Sequence, residues 1–196
     1  MSLRAVTALL VASMVLGRTA AAQDGNRGFW GSIGAGYVAL GAGCDSCGTP
    51  TYHSGLAIYI RAGGTLKSGV GVGIQVASLT KDDSASMVRL VVTTLVGQWH
   101  PYKSAGFYVQ SGFGLSSGRQ DFNVGGSSTR ISRVGIGLTF EVGWDIGIGP
   151  MDFTPSVFSQ IAALGDVQPR DASGNRYLLK DAIGTGYGFG LSVGLR

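Results

Sequence analysis

The chain has 196 residues, 34 of them Gly, with 13% charged residues, 44% hydrophobic residues and a formal net charge of +4. Its basic residues are scattered through turns and single strand positions, so no clustered basic field points to nucleic acid or an acidic partner. No Pro/Ser-rich linker or charge block divides the sequence, and its length suits one domain.

The N-terminus carries Arg4, an apolar run from Ala5 to Leu16, and the small residues Thr19-Ala20-Ala21-Ala22. This is the pattern of a secretory signal peptide over 1–22, with an Ala-x-Ala cut before Gln23. The run is too short for a membrane helix, and no Cys stands at the cut to take a lipid anchor. Loss of the signal removes Arg4 and Arg18, leaving the 23–196 domain close to neutral.

Strands are expected near 28–40, 55–63, 69–79, 87–99, 106–116, 132–147, 152–164 and 182–195. The clearest runs from Arg133 to Gly147, where Val134, Ile136, Leu138, Phe140, Val142, Trp144 and Ile146 take every second position. Gly, Thr and charged residues take the others. Side chains alternate across a strand, so one face is large and apolar and the other small or polar. The C-terminal stretch repeats the pattern, with Ile183, Thr185, Tyr187, Phe189, Leu191, Val193 and Leu195 alternating with Gly and Ser.

These strands exceed the usual five or six residues and reach the nine to eleven that cross a bilayer when tilted. Connections at 41–54, 117–131 and 165–181 are long and that at 80–86 is charged, whereas those near 64–68, 100–105 and 148–151 are short. Long outer loops against short periplasmic turns fit an outer-membrane barrel. The expected fold is therefore all-β: a closed, antiparallel, up-and-down transmembrane barrel of about eight strands, with both ends of the domain on the periplasmic side. Closure follows because lipid offers no hydrogen bonds to a strand edge. A barrel this small has room for filling side chains but not for an open aqueous channel.

On these features the 23–196 region resembles the small outer-membrane barrels of the OmpA and OmpX type. Tyr187, Phe189, Leu191, Val193 and Leu195 match the alternate apolar positions of that superfamily's C-terminal assembly signal, although the chain ends on Arg196 instead of an aromatic residue. The resemblance implies an outer-membrane location, contact with outer-membrane lipid, passage through the Sec translocon and the barrel-assembly machinery, and a monomeric state. It does not choose a function, because members act as envelope anchors, adhesion or resistance factors, narrow conduits or lipid-modifying enzymes.

On the face expected to point inward lie Arg61, Gln75, Arg89, Gln110, Arg133, Glu141 and Asp145. Arg facing lipid at the midplane costs roughly 2–4 kcal/mol, which favours a lumen polar network that stiffens and plugs the barrel over a gated polar pathway. Arg133 and Glu141 are about 27 Å apart along one strand and cannot pair, so Glu141 needs Arg61 or Arg89. Cys44 and Cys47 lie in the first long loop, where an oxidising compartment favours a local disulfide. One Cys-x-x-Cys is weak evidence for a metal, and no metal or cofactor is assigned.

Catalysis is not expected. His53 falls at the outer end and His100 in a periplasmic turn, and Ser54 beside His53 faces the opposite way. Gly34-Ala35-Gly36-Tyr37-Val38-Ala39 formally matches a dinucleotide fingerprint but lacks the following helix. Trp30, Trp99, Tyr102, Phe107, Trp144 and Phe153 read as a periplasmic-side aromatic girdle. The functional expectation is a non-enzymatic barrel with an envelope-structural or surface-interaction role. The alternatives are a narrow conduit for small or apolar molecules and a rim-located lipid-modifying enzyme.

Overall fold

The computed structural model describes residues 28–43, 52–66, 70–82, 86–101, 106–124, 127–167 and 179–195. The leader segment, Cys44, Cys47 and Tyr102 fall outside these residues. Eight long strands follow one another: β1 (Phe29–Gly43), β2 (Tyr52–Thr65), β3 (Val70–Asp82), β4 (Ser86–Trp99), β5 (Phe107–Val124), β6 (Ser127–Trp144, continued by Ile146–Ile148), β7 (Met151–Val167) and β8 (Leu179–Leu195). Each pairs antiparallel with the next, and β8 pairs with β1 from Gly31↔Leu195 to Gly43↔Ile183. The sheet is thus a closed up-and-down barrel.

Two irregularities have local causes. The β6–β7 ladder stops at Gly143↔Ser156 and resumes at Ile146↔Phe153 in the same register. Pro155 lies in the gap and has no N–H to give. The Asp145 N–H instead donates to the Gly106 carbonyl at 2.8 Å. At the other end, the β7–β8 register shifts around Gly165, whose φ of 66° suits glycine.

Burial alternates along the strands and separates two faces. Phe113, Leu115, Val134, Ile136, Val157 and Phe189 point outward and are more than 60% exposed. An exposed apolar face of this extent belongs against acyl chains. The alternate positions point inward and fill the lumen.

The structure corrects three expectations about placement. Residues 117–131 do not form an open loop: β5 and β6 stay paired from Gly118↔Arg133 to Val124↔Ser127, and the two intervening residues are Gly125 and Gly126, a sequence suited to a two-residue hairpin. The hairpin outruns β7, whose pairing with β6 ends at Ile136↔Ala163. Trp30 does not join the girdle. It lies on the inward face of β1, over Gly63 and Gly73, where a Cβ on either glycine would meet its ring. Arg89 is treated with the lumen residues below. Trp99 and Trp144 do face outward at the periplasmic end, and the Trp144 ring meets Phe107 edge-on at 5.9 Å.

Candidate functional site

The lumen has two layers of opposite character. Toward the outer end, Val38, Leu40, Ala57, Ala77, Leu79, Leu90, Val92, Phe158 and Ala162 pack into a single apolar cluster. The ring of Tyr59 closes its lower side, edge-on to Phe158 at 6.0 Å. These buried apolar side chains occupy the upper lumen, as expected of a barrel of this size, and form the layer called the stopper below.

Below the stopper the lumen turns polar, and its centre is the Arg61 guanidinium. The Arg61 Nη1 donates to Glu141 Oε1 at 2.7 Å and to the Tyr108 hydroxyl at 3.1 Å. Its Nη2 donates to Ser192 Oγ at 2.8 Å, and its Nε to Ser32 Oγ at 3.1 Å. Arg61 also lies 4.9 Å from the centroid of the Tyr59 ring. Tyr108 donates its proton to Glu141 Oε1, so the carboxylate accepts from two directions. The side chains of Arg61 and Glu141 are 4% and 1% exposed, which makes this a fully desolvated ion pair. Such a pair persists only because neighbouring donors and acceptors complete both groups.

A glycine makes this arrangement possible. Gly143 is the cross-strand partner of Tyr108, and a Cβ there would sit 2.5 Å from the tyrosine hydroxyl. The ring therefore lies flat on bare backbone and brings its hydroxyl to Glu141. A second strip joins Gln110 Nε2 to Gln75 Oε1 at 2.5 Å and Gln75 Nε2 to Thr139 Oγ1 at 3.4 Å. Thr94 Oγ1, Gln110 Oε1 and Gln160 Oε1 are buried without a protein partner.

At the periplasmic mouth Asp145 accepts from Thr154 Oγ1 at 2.7 Å through Oδ1 and meets His100 Nε2 at 3.1 Å through Oδ2. The His100 ring lies against Tyr108, with centroids 5.8 Å apart. This contact links the mouth to the ion pair above it.

Of the seven residues expected in a lumen network, Arg61, Gln75, Gln110 and Glu141 meet in the middle, and Asp145 stands at the lower mouth. Arg89 and Arg133 do not join them. On β4 the inward positions are Leu90, Val92, Thr94, Val96 and Gln98, so Arg89 points outward, where its Nε donates to Ser78 Oγ at 3.0 Å. Arg133 keeps the inward phase of Glu141 but lies exposed, above the stopper. Glu141 is therefore paired with Arg61, not Arg89.

Tyr108, Ser192, Ser32, Thr139 and Thr154 were not anticipated, and neither was the His100–Asp145 contact. Tyr108 was legible, because it stands two residues before Gln110 on the same face. His53 lies on the outer half of β2, at the opposite end of the barrel from His100, and no group of three or more metal-ligating side chains occurs among the described residues. Tyr187, Phe189 and Leu191 face outward on β8, with Phe189 stacked on Tyr37 at 5.8 Å.

No family model matches the chain, and no curated protein matches it by sequence. Solved structures do. Neisserial surface protein A is 15% identical, with a TM-score of 0.52, over 84% of this chain and 96% of that one. Ail, the attachment invasion locus protein of Yersinia pestis, is 12% identical, with a TM-score of 0.55, over 85% of this chain and 98% of that one. A second structure of Ail, in complex with the heparin analogue sucrose octasulfate, gives 0.56. At such identities the likeness concerns architecture, and it agrees with the lipid-facing belt and the filled lumen. The chain has the fold of the small eight-stranded outer-membrane barrels of the OmpA and OmpX type, and its apolar belt suits it to that membrane.

Proposed function

We propose that the chain is a non-conducting, non-enzymatic integral barrel of the outer membrane, with an envelope-structural or surface-interaction role carried by its outer end. The observation that carries this reading is the two-layered lumen: a packed apolar stopper stands over a paired, desolvated Arg61–Glu141 centre. A solute would have to displace both. Further support comes from the β5–β6 hairpin, which outruns its β7 neighbour and offers protein surface beyond the membrane. The names of two structural neighbours, a surface protein and an attachment invasion locus protein, are in keeping with a surface role. Outer-membrane lipid is the proposed surrounding partner, the Sec translocon and barrel-assembly machinery the biogenesis partners, and the monomer the working unit.

The test is purified barrel in planar bilayers and in sugar-loaded liposomes. No resolved conductance steps and no swelling above protein-free vesicles are expected. Reproducible steps, or swelling that scales with protein, would refute the non-conducting reading and favour the conduit.

A further inference from the structure

We propose that Tyr52 and Tyr187 are an oxidative cross-linking site, which peroxide acting through a one-electron oxidant at the cell surface converts to a dityrosine staple joining β2 to β8. The two phenol oxygens are 3.3 Å apart, and the ring centroids are 5.5 Å apart with planes tilted by 46°. The rings therefore converge at the edges that carry the hydroxyls and the adjoining ortho carbons, where such coupling takes place. Both residues are 45% exposed.

Their meeting depends on the strand between them. β2 and β8 are not neighbours: β1 lies between, with Gly41 paired to Tyr52 on one side and Ala39 paired to Tyr187 on the other. Adjacent strands are about 4.8 Å apart, so side chains separated by a whole strand are rooted at least about 10 Å apart. Gly41 and Ala39 keep the intervening surface low. A Cβ on Gly41 would come within 2.5 Å of the Tyr52 ring, which therefore leans across β1 toward Tyr187. Tyr52 opens β2 at its outer end, and exposed Ser54 separates it from outward-facing Leu56, Ile58 and Ile60. The phenols thus meet at the rim of the apolar belt, where a water-borne oxidant reaches them. Other described tyrosines are placed differently: Tyr59 and Tyr108 are buried in the lumen, and Tyr37 is stacked on Phe189.

The chemistry balances with peroxide as the oxidant. Each phenol gives up one electron and its hydroxyl proton, and the two radicals, delocalised onto the ortho carbons, join in a carbon–carbon bond. The hydrogens on those carbons then move to the oxygens and restore both phenols. One hydrogen peroxide takes up the two electrons and two protons and leaves as two waters. The staple joins residues 135 positions apart and bridges the β1–β8 seam, so it restricts the unfolded chain far more than the barrel. The proposal rests on the outward placement of two tyrosines and not on whether the lumen conducts, so a conducting barrel would leave it intact.

The experiment treats the full barrel in phosphatidylcholine nanodiscs with hydrogen peroxide and a haem peroxidase, and separately with light, persulfate and ruthenium tris-bipyridine, a small one-electron oxidant. Peptide mass spectrometry of the monomer band should find the Tyr52 and Tyr187 peptides joined and lighter by two hydrogens, with dityrosine fluorescence. Tyr52→Phe and Tyr187→Phe should each abolish this product, and Tyr37→Phe should leave it unchanged. Boiled, cross-linked protein should run ahead of boiled, untreated protein, because the stapled loop cannot extend. Absence of the joined peptides with both oxidants would overturn the proposal. A product confined to a dimer band would overturn it as well, by showing collision between copies, and so would an equal yield from the chain unfolded in urea. If a phenylalanine variant does not assemble, as judged by heat-modifiable gel mobility, the wild-type peptide map decides alone, since fragmentation locates the linked residues, and any pairing other than Tyr52 with Tyr187 would overturn the assignment.

Discussion

Replacing Glu141 by Gln leaves Arg61 charged and 4% exposed, facing an amide where a carboxylate stood. Of the four groups that receive Arg61, Ser32, Ser192 and Tyr108 remain, but none carries charge. Removing one member of a buried pair costs about 3–5 kcal/mol, and the surviving amide oxygen places this variant near the lower figure, about 3 kcal/mol. Removing both charges, as Arg61→Met with Glu141→Met, should leave stability within about 2 kcal/mol of wild type, because no uncompensated ion stays behind. The assay is reversible denaturant unfolding in vesicles, followed by tryptophan fluorescence and by heat-modifiable mobility. An unshifted midpoint for Glu141→Gln, or a double variant as unstable as the sum of the two singles, would refute the view that a desolvated ion pair organises the lumen.

Because the stopper lies above the ion pair, Glu141→Ala should remain non-conducting in planar bilayers; open channels in this variant would mean that the ion pair alone is the gate. Gly143→Ala should destabilise the barrel by about 2 kcal/mol through its collision with Tyr108, within the usual range for overpacking. Gly97→Ala, with no atom within 4 Å of the new methyl, should stay within about 0.5 kcal/mol, both being read from unfolding midpoints. Phe113→Arg places a charge on the lipid face and should cost about 2–4 kcal/mol in vesicles. A neutral result there would count against the membrane belt.

The fold was legible because β6 and β8 face lipid on one side and glycine, serine or threonine on the other, so their period of two is unbroken. β4 shows why the phase of Arg89 was not. Val88, Leu90, Val91, Val92, Leu95 and Val96 are apolar on both faces, since the upper lumen is itself apolar, and a strand oily on both sides carries no signal of which side is in. The β5–β6 hairpin was mistaken for a loop for a related reason. Above the membrane no lipid enforces alternation, and its Ser, Gly and Asn content reads as coil. The candidate site was half visible: Arg61, Gln75, Gln110 and Glu141 announce themselves as charges or amides in oily strands. Tyr108 is signalled only by sharing the inward phase of Gln110, and Ser192 and Thr139 are not signalled at all, because small hydroxyls on the inner face look like ordinary filler. The His100–Asp145 contact joins a turn to a strand 45 residues later, and only the closed sheet brings them together.

The ladder between β1 and β8 ties Gly31, near the start of the first described strand, to Leu195, the end of the last. No hairpin can form this contact early, since its partners are separated by nearly the whole domain, and the entropy of joining such distant segments must be met before any hydrogen bond is gained. The strand that completes the cylinder is therefore β8, through its pairing with β1. Until it arrives, the other seven strands present two raw edges that no bilayer tolerates. In this fold, closing the sheet and meeting lipid with the apolar belt are therefore one requirement and not two.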